Sequence, residues 1–94
     1  MSLFLRAAEL RQDFERSRLQ FLLTDLDTGA IFCEVAQSSN DPEKRKRNQG
    51  NARKAYDTVL KFQDGVIFDA KSKAELERKL SRLQLLLKQL GEDV

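Results

Sequence analysis

The sequence predicts an all-α protein: a three-helix antiparallel bundle with a long N-terminal helix. Glycine and proline total only five of the 94 residues, which is few for the tight turns that join β-strands. Apolar residues recur at spacings of three and four in three separate segments, the period of an amphipathic helix. We expect one helical domain over residues 1–94, with helices at about 2–38, 42–63 and 70–90.

The first predicted helix carries two apolar stripes, because no proline and only one glycine interrupt it before the polar segment "SSND". The first stripe follows the 4,3 spacing of a helix–helix seam and consists of Leu3, Ala7, Leu10, Phe14, Ser17, Phe21, Thr24, Thr28, Ile31 and Val35. The second stripe lies roughly opposite and consists of Leu5, Ala8, Leu19, Leu22, Leu23, Leu26, Ala30 and Cys33. We therefore expect this helix to be covered on two sides.

The second predicted helix begins after Asn40 or Asp41, either of which is a good N-cap, with Pro42 in the first turn. It ends near Gly65. Its expected inward face consists of Ala52, Ala55, Tyr56, Val59 and Phe62.

The loop between the first two helices predicts their register. If the chain turns near residue 40, residues whose numbers sum to about 80 become neighbours. The expected contacts are then Glu34 with Lys46, Asp27 with Arg53, and Gly29 and Ala30 with Gly50 and Asn51.

The third predicted helix begins at or slightly before "SKAE", Ser72 to Glu75, which has the spacing of a capping box. Gly91 supplies its stop signal. Leu85 projects from the far side of an unbroken seam that consists of Leu76, Leu80, Leu83, Leu87 and Leu90.

Helix lengths predict an uncovered N-terminal arm. The first helix spans about 50 Å and each of the others about 30 Å, so the shorter helices cannot cover the longer one. We expect a homo-oligomer, most simply a dimer, with an interface formed by Leu3, Phe4, Ala7, Leu10, Phe14, Phe21 and Leu85. The alternative is a four-helix bundle, in which the first helix breaks near Glu15 to Arg18 and the arm folds back.

A basic segment gives the chain its most uneven charge. Residues 41–63 hold seven bases and three acids, a net charge of +4, whereas the whole chain carries +2. Its cations surround the predicted helix instead of lining one side, which favours a solvated or internally paired surface. A contact with a polyanion is the alternative, through Lys44, Arg45, Lys46, Arg47, Arg53 and Lys54.

The composition argues against catalysis and metal binding. The chain has no histidine and a single cysteine, so it lacks the commonest general base and the usual ligands of zinc. Cys33 lies on an inward stripe and is predicted to be a packed thiol. We expect neither catalytic residues nor a metal or cofactor.

Cysteine usage and hydropathy suggest a location. One cysteine fits a reducing compartment, the N-terminal segment lacks the apolar region of a signal peptide, and no segment reaches the ~20 apolar residues of a membrane span. We expect a cytoplasmic protein without membrane association.

The segment "NARKAYDTVLKF", Asn51 to Phe62, resembles helices of small uncharacterised bacterial α-helical proteins. It is also similar to the second helix of a tetratricopeptide hairpin. The resemblance implies a bacterial origin and helical-hairpin packing.

Two functional hypotheses follow from the sequence. The first is a non-enzymatic helical module that presents an apolar seam to a protein partner. The second is a small nucleic-acid-binding or regulatory protein that contacts phosphates through residues 44–54.

Overall fold

The computed structural model describes residues 3–94, except for the side chains of Phe4 and Leu5. It contains three α-helices: α1 at Leu3–Ser38, α2 at Pro42–Phe62 and α3 at Ala70–Gln89. A single turn of 3-10 helix at Gln63–Gly65 follows α2. The predicted all-α fold with a long first helix is confirmed, and each described helix end lies within one residue of its prediction.

Helix α1 is continuous over its 36 residues, so the predicted alternative of a break near Glu15 to Arg18 is wrong. A helix of this length spans about 54 Å, which accounts for the longest dimension of the molecule, 59 × 22 × 18 Å. No proline, glycine pair or inserted residue is present in that region to cause a kink. The arm therefore extends away from the bundle.

The core lies between the second stripe of α1 and the inward faces of α2 and α3, which also contact each other. Within one molecule α1 is covered on one side only, because both shorter helices pack on the same flank of it and the first stripe stays largely exposed. Each helix in this bundle turns one apolar face toward a common centre. The buried hydrophobic residues are Leu22, Leu23, Leu26, Ala30, Cys33 and Ala36 of α1, Ala52, Ala55, Tyr56 and Val59 of α2, Val66, and Leu76, Leu83 and Leu87 of α3.

Aspartates cap the N-termini of α2 and α3. Oδ1 of Asp41 accepts the Glu43 and Lys44 N–H groups at 3.0 and 3.4 Å. At α3 the cap is Asp69, which accepts the Ser72 N–H at 2.7 Å, and that hydrogen bond lowers the pKa of Asp69. Helix α3 thus begins before the predicted capping box, because Asp is as good an N-cap as Ser.

The predicted glycine, Gly91, follows the C-terminal end of α3. Gly91 has φ of +94°, a conformation that only glycine adopts without strain. Its N–H donates to the carbonyl of Lys88 and the Glu92 N–H donates to the carbonyl of Leu87, both at 3.0 Å. This pair of bonds is a Schellman motif, which satisfies carbonyls at the helix end.

The predicted register between α1 and α2 is wrong. A Cβ at Gly29 would lie 3.2 Å from Cβ of Ala55 and 2.8 Å from Cδ2 of Leu83, whereas a Cβ at Gly50 would meet no atom of another element within 4 Å. Positions 29 and 55 sum to 84, four more than the loop arithmetic predicts. The register follows the burial of the apolar face of α2 against α1, and counting outward from a loop ignores how each helix is rotated.

The predicted ion pairs between α1 and α2 are also wrong. Both acids of α1 pair with α3 instead: Asp27 Oδ1 lies 2.6 Å from Lys79 Nζ, and Glu34 Oε1 lies 3.3 Å from Arg82 Nη2. Arg53 pairs with Asp57 and with Glu92 of the C-terminal segment. The acidic side of α1 therefore faces the third helix.

Candidate protein interaction surface

A row of large apolar side chains lies on the side of the molecule that the bundle leaves open. We call these five residues the apolar strip, and four of them belong to the first stripe of α1. Their exposed fractions are 87% for Leu3, 61% for Leu10, 63% for Phe14, 60% for Phe21 and 47% for Phe62. Ala7, between Leu3 and Leu10, is exposed as well. Exposed apolar surface that is contiguous marks sites of protein association.

A groove runs between α1 and the end of α2 along this strip. It has a volume of about 470 Å³ and is lined mainly by apolar atoms. Buried Leu22 and Val66 form its floor, and exposed phenylalanines form its edges. The lining residues are Phe14, Ser17, Arg18, Phe21, Leu22, Thr58, Phe62 and Val66.

Phe62 is at the edge of this groove although the sequence placed it on the inward face of α2. The other four residues of that face are buried as predicted. After Phe62 the chain turns through Gln63–Gly65, and Val66, 7% exposed, packs into the core next to Leu22. The connector thus supplies the apolar side chain that the 3,4 spacing had assigned to Phe62.

Two cations border the groove. The guanidinium of Arg18 lies 5.9 Å from the centroid of Phe14, and the ammonium of Lys61 lies 5.4 Å from the centroid of Phe62. Both distances fall within the range of cation–π attraction. Arg18 is also held by Glu15 at 3.7 Å. The groove therefore combines an apolar floor with one cation, Arg18, in its lining.

The N-terminal arm is the part of α1 from Leu3 to Phe14, which extends past the connector between α2 and α3. Ile67 of the connector is 79% exposed and lines a shallow depression with residues of α1 between Arg11 and Arg16. From Arg6 to Phe14 every side chain is exposed. Apart from Ile67 beside Arg11 and the groove beside Phe14, no described residue of the same molecule lies over that part of the helix.

The predicted interface residues are only partly brought together. Leu3, Ala7, Leu10, Phe14 and Phe21 share one face of α1, while the side chain of Phe4 lies outside the described residues. Leu85 is 57% exposed on α3, and no residue of α3 lines the groove. Phe62 was not among the predicted interface residues. Its position at the end of α2, just before Gly65, was the available sign that it need not be buried.

The basic segment is exposed at the start of α2. Within the described part of the chain its cations form no ion pair, except for Arg53, which is bound by Asp57 and Glu92. As predicted, they surround the helix. The exposed cations are Lys44, Arg45, Lys46, Arg47 and Lys54.

The ionisable groups of the covered half of α1 offer little chemistry. Burial, aided by the charge of Glu34, raises the pKa of the Cys33 thiol to about 11, so this thiol stays protonated at neutral pH and is a poor nucleophile. Burial also raises the pKa of Asp25. Over residues 3–94, acids and the cysteine nowhere gather in a group of three that suits a metal ion.

None of the described helices combines the length and the apolar character that crossing a membrane requires. Comparison with protein-family models, curated proteins and solved structures finds no match for this chain. The resemblance of Asn51 to Phe62 to bacterial helical proteins therefore stays a prediction.

Proposed function

We propose that this chain is a non-enzymatic helical interaction module that self-associates through the apolar strip. The observation that supports the proposal is the alignment of two leucines and three phenylalanines on the face of the molecule that α2 and α3 leave uncovered. The proposal keeps the cytoplasmic location that the sequence predicts. Binding, and not catalysis, is the proposed role.

The area of the strip supports a specific contact. A phenylalanine side chain offers roughly 200 Å², so the exposed fractions of the three rings leave about 340 Å² to be covered. With the leucines, the strip offers on the order of 600 Å², the upper end of the range for the largest apolar patch of a monomer. Two such strips bury about 1,200 Å² together, which is the lower end of the range for specific interfaces.

Sedimentation velocity at about 1 to 100 μM tests the proposal, since dimers with micromolar dissociation constants populate this range. We expect the wild-type chain to dimerise. Phe21→Ser should raise the dissociation constant at least about tenfold, because a few large side chains, aromatic ones prominent among them, carry most of the energy of an interface.

Leu85→Ser is the matched control. It removes an apolar side chain of similar exposure, 57% against 60% for Phe21, from a helix that does not line the groove. The control should leave the dimer unchanged. A wild-type chain that stays monomeric throughout the concentration range, or a dimer lost in Leu85→Ser but kept in Phe21→Ser, contradicts the proposal.

A second candidate function is the binding of a polyanion such as nucleic acid through the basic segment. It is favoured by the five exposed cations of this segment, which form no ion pair within the described residues; Lys46 is one of them, since Glu34 pairs with Arg82 instead. Phosphate contacts release counterions, so affinity should fall steeply between about 50 and 200 mM salt.

Fluorescence anisotropy with a labelled single strand and a labelled duplex tests this second candidate. Replacing residues 44–47 by glutamine should abolish binding. The matched control replaces four exposed cations of α3, namely Lys71, Lys73, Arg78 and Lys88, and removes the same charge. Equal losses in both variants, or no binding at low salt, contradict the candidate function.

A further inference from the structure

The α1 residues of the apolar strip, together with the small residues Ala7 and Ser17 between them, are arranged symmetrically about Gln12 in the sequence. Leu3 and Phe21 lie nine positions to either side of it, Ala7 and Ser17 lie five, and Leu10 and Phe14 lie two. Every large residue is thus matched by a large one and the small residue by a small one. In each large pair a leucine corresponds to a phenylalanine.

This symmetry is what an interface between identical chains requires when two helices run antiparallel, because residue i of one copy then meets residue j of the other and j meets i. We propose that two copies of this chain pair their α1 helices as an antiparallel dimer, with a two-fold axis that crosses the seam at the height of Gln12. Leu3 then packs against the partner's Phe21, and Leu10 against the partner's Phe14. The inference rests on the proposed self-association. It specifies that a second copy covers the α1 part of the strip and that the two helices run antiparallel.

Packing geometry favours this arrangement over a parallel one. In the antiparallel pair every large layer contains one leucine and one phenylalanine, so the two helices keep an even separation. A parallel pair places two leucine layers at one end of the seam and two phenylalanine layers at the other. These layers differ in volume and leave either gaps or overpacking. The parallel pair also places Arg6 of each copy beside Arg11 of the other at the edge of the seam, where the two positive charges repel.

The antiparallel pair has an electrostatic cost near its axis. Arg11 and Asp13 flank the seam on opposite sides, so the two-fold axis places Arg11 beside the partner's Arg11 and Asp13 beside the partner's Asp13. This cost is small because the carboxylate of Asp13 already has Arg16 at 3.9 Å and both side chains of that pair are more than 70% exposed. Like charges at exposed positions are separated by solvent and screened by salt.

The extent of the overlap matches the uncovered part of α1. Pairing from Leu3 to Phe21 joins the helices over about 28 Å and places the tip of each arm beside Phe21 and Phe62 at the partner's groove. Beyond Phe21 the stripe continues through polar Thr24 and Thr28, which the partner does not cover. Each copy thus supplies the covering helix that the other lacks.

Cysteine cross-linking in the full chain tests the orientation. Ala7→Cys and Ser17→Cys change small, exposed side chains that face each other across the proposed dimer. Disulfides form only when the two Cβ atoms approach to about 4 Å. Native Cys33 is fully buried, so the wild-type chain is the control for background oxidation.

We expect a mixture of the two variants to give a mixed disulfide dimer at least about tenfold faster than either variant alone, as measured by mass spectrometry without reductant. In the proposed dimer the two copies of a single variant place their cysteines about 15 Å apart along the helix axis, at a rise of about 1.5 Å per residue. Circular dichroism confirms that both variants fold. Rapid cross-linking of Ala7→Cys with itself indicates a parallel dimer and overturns the inference.

Cross-linking of Ala7→Cys with Thr24→Cys in preference to Ser17→Cys indicates a different register and also overturns the inference. In both cases a dimer that depends on Phe21 leaves the proposed function intact. A chain that sediments as a monomer overturns the two together.

Discussion

The two halves of α1 have a similar spacing of apolar residues and different surroundings. In the half from Leu19 to Ala36, the second stripe is buried beneath α2 and α3. In the half from Leu3 to Phe14, the described side chains are all exposed. Both halves carry apolar residues at helical spacing, so the pattern identifies faces that favour burial. Whether a face is buried within the monomer depends on how far the neighbouring helices reach.

Truncating a leucine in each half is the strongest way to test this difference. Leu26→Ala removes a side chain that is 1% exposed and should lower the free energy of unfolding by about 3 kcal/mol, because it leaves a cavity in the core. Leu10→Ala on the arm should change it by less than about 0.5 kcal/mol. Urea denaturation at submicromolar concentration, chosen to dissociate a dimer of micromolar affinity, measures both. A large loss in Leu10→Ala there means that the arm is covered within its own molecule.

Two glycines test close packing in the covered half. Gly29→Ala places a Cβ against Ala55 and the fully buried Leu83, and we expect a net loss of about 1 kcal/mol, since overpacking outweighs the gain in helix propensity. Gly50→Ala meets no atom within 4 Å and should stabilise the chain by about 0.5 to 1 kcal/mol. Thermal unfolding of both variants measures these changes, and stabilisation by Gly29→Ala contradicts the observed approach of the helices.

A carboxylate in the covered half gives the smallest effect. The raised pKa of Asp25 means that the folded chain holds this proton more tightly than the unfolded chain. The resulting stabilisation is complete at pH values below the ordinary pKa of an aspartate and is lost as the pH rises through the folded pKa. Asp25→Asn should therefore be more stable than the wild type at neutral pH by up to about 0.5 kcal/mol.

The advantage of Asp25→Asn should shrink as the pH falls to about 3, where the wild-type carboxyl is protonated too. Urea titrations at several pH values measure it. Asp13→Asn on the exposed arm removes the same charge and is the matched control. An advantage of Asp25→Asn that stays constant with pH contradicts burial as its cause.

Features that depend on neighbouring residues were predicted well. Asp41 with Pro42 and the glycine at position 91 define helix ends through local hydrogen bonds, so the helix bounds follow from the sequence. The exposed stripe on the arm was predicted as well, because it depends only on helical spacing and helix length.

Features that depend on how helices are rotated against each other were not predicted. The register of α1 with α2, the pairing of Asp27 and Glu34 with α3, and the outward position of Phe62 all follow from which apolar faces meet. Local sequence does not determine that choice, since many registers satisfy the same spacing. The groove was missed for this reason.

The continuity of α1 has a consequence for its amide hydrogen exchange. Amides of the bundle are protected by tertiary burial, whereas those of the arm rely on local helical bonds alone, and isolated helices shorter than about 12 to 15 residues are marginally stable. Exchange in the monomer should therefore slow progressively from the N-terminus of α1 toward Leu26. A bound partner would add protection to the arm and little to the bundle, so this single helix reports occupancy of the strip without a label.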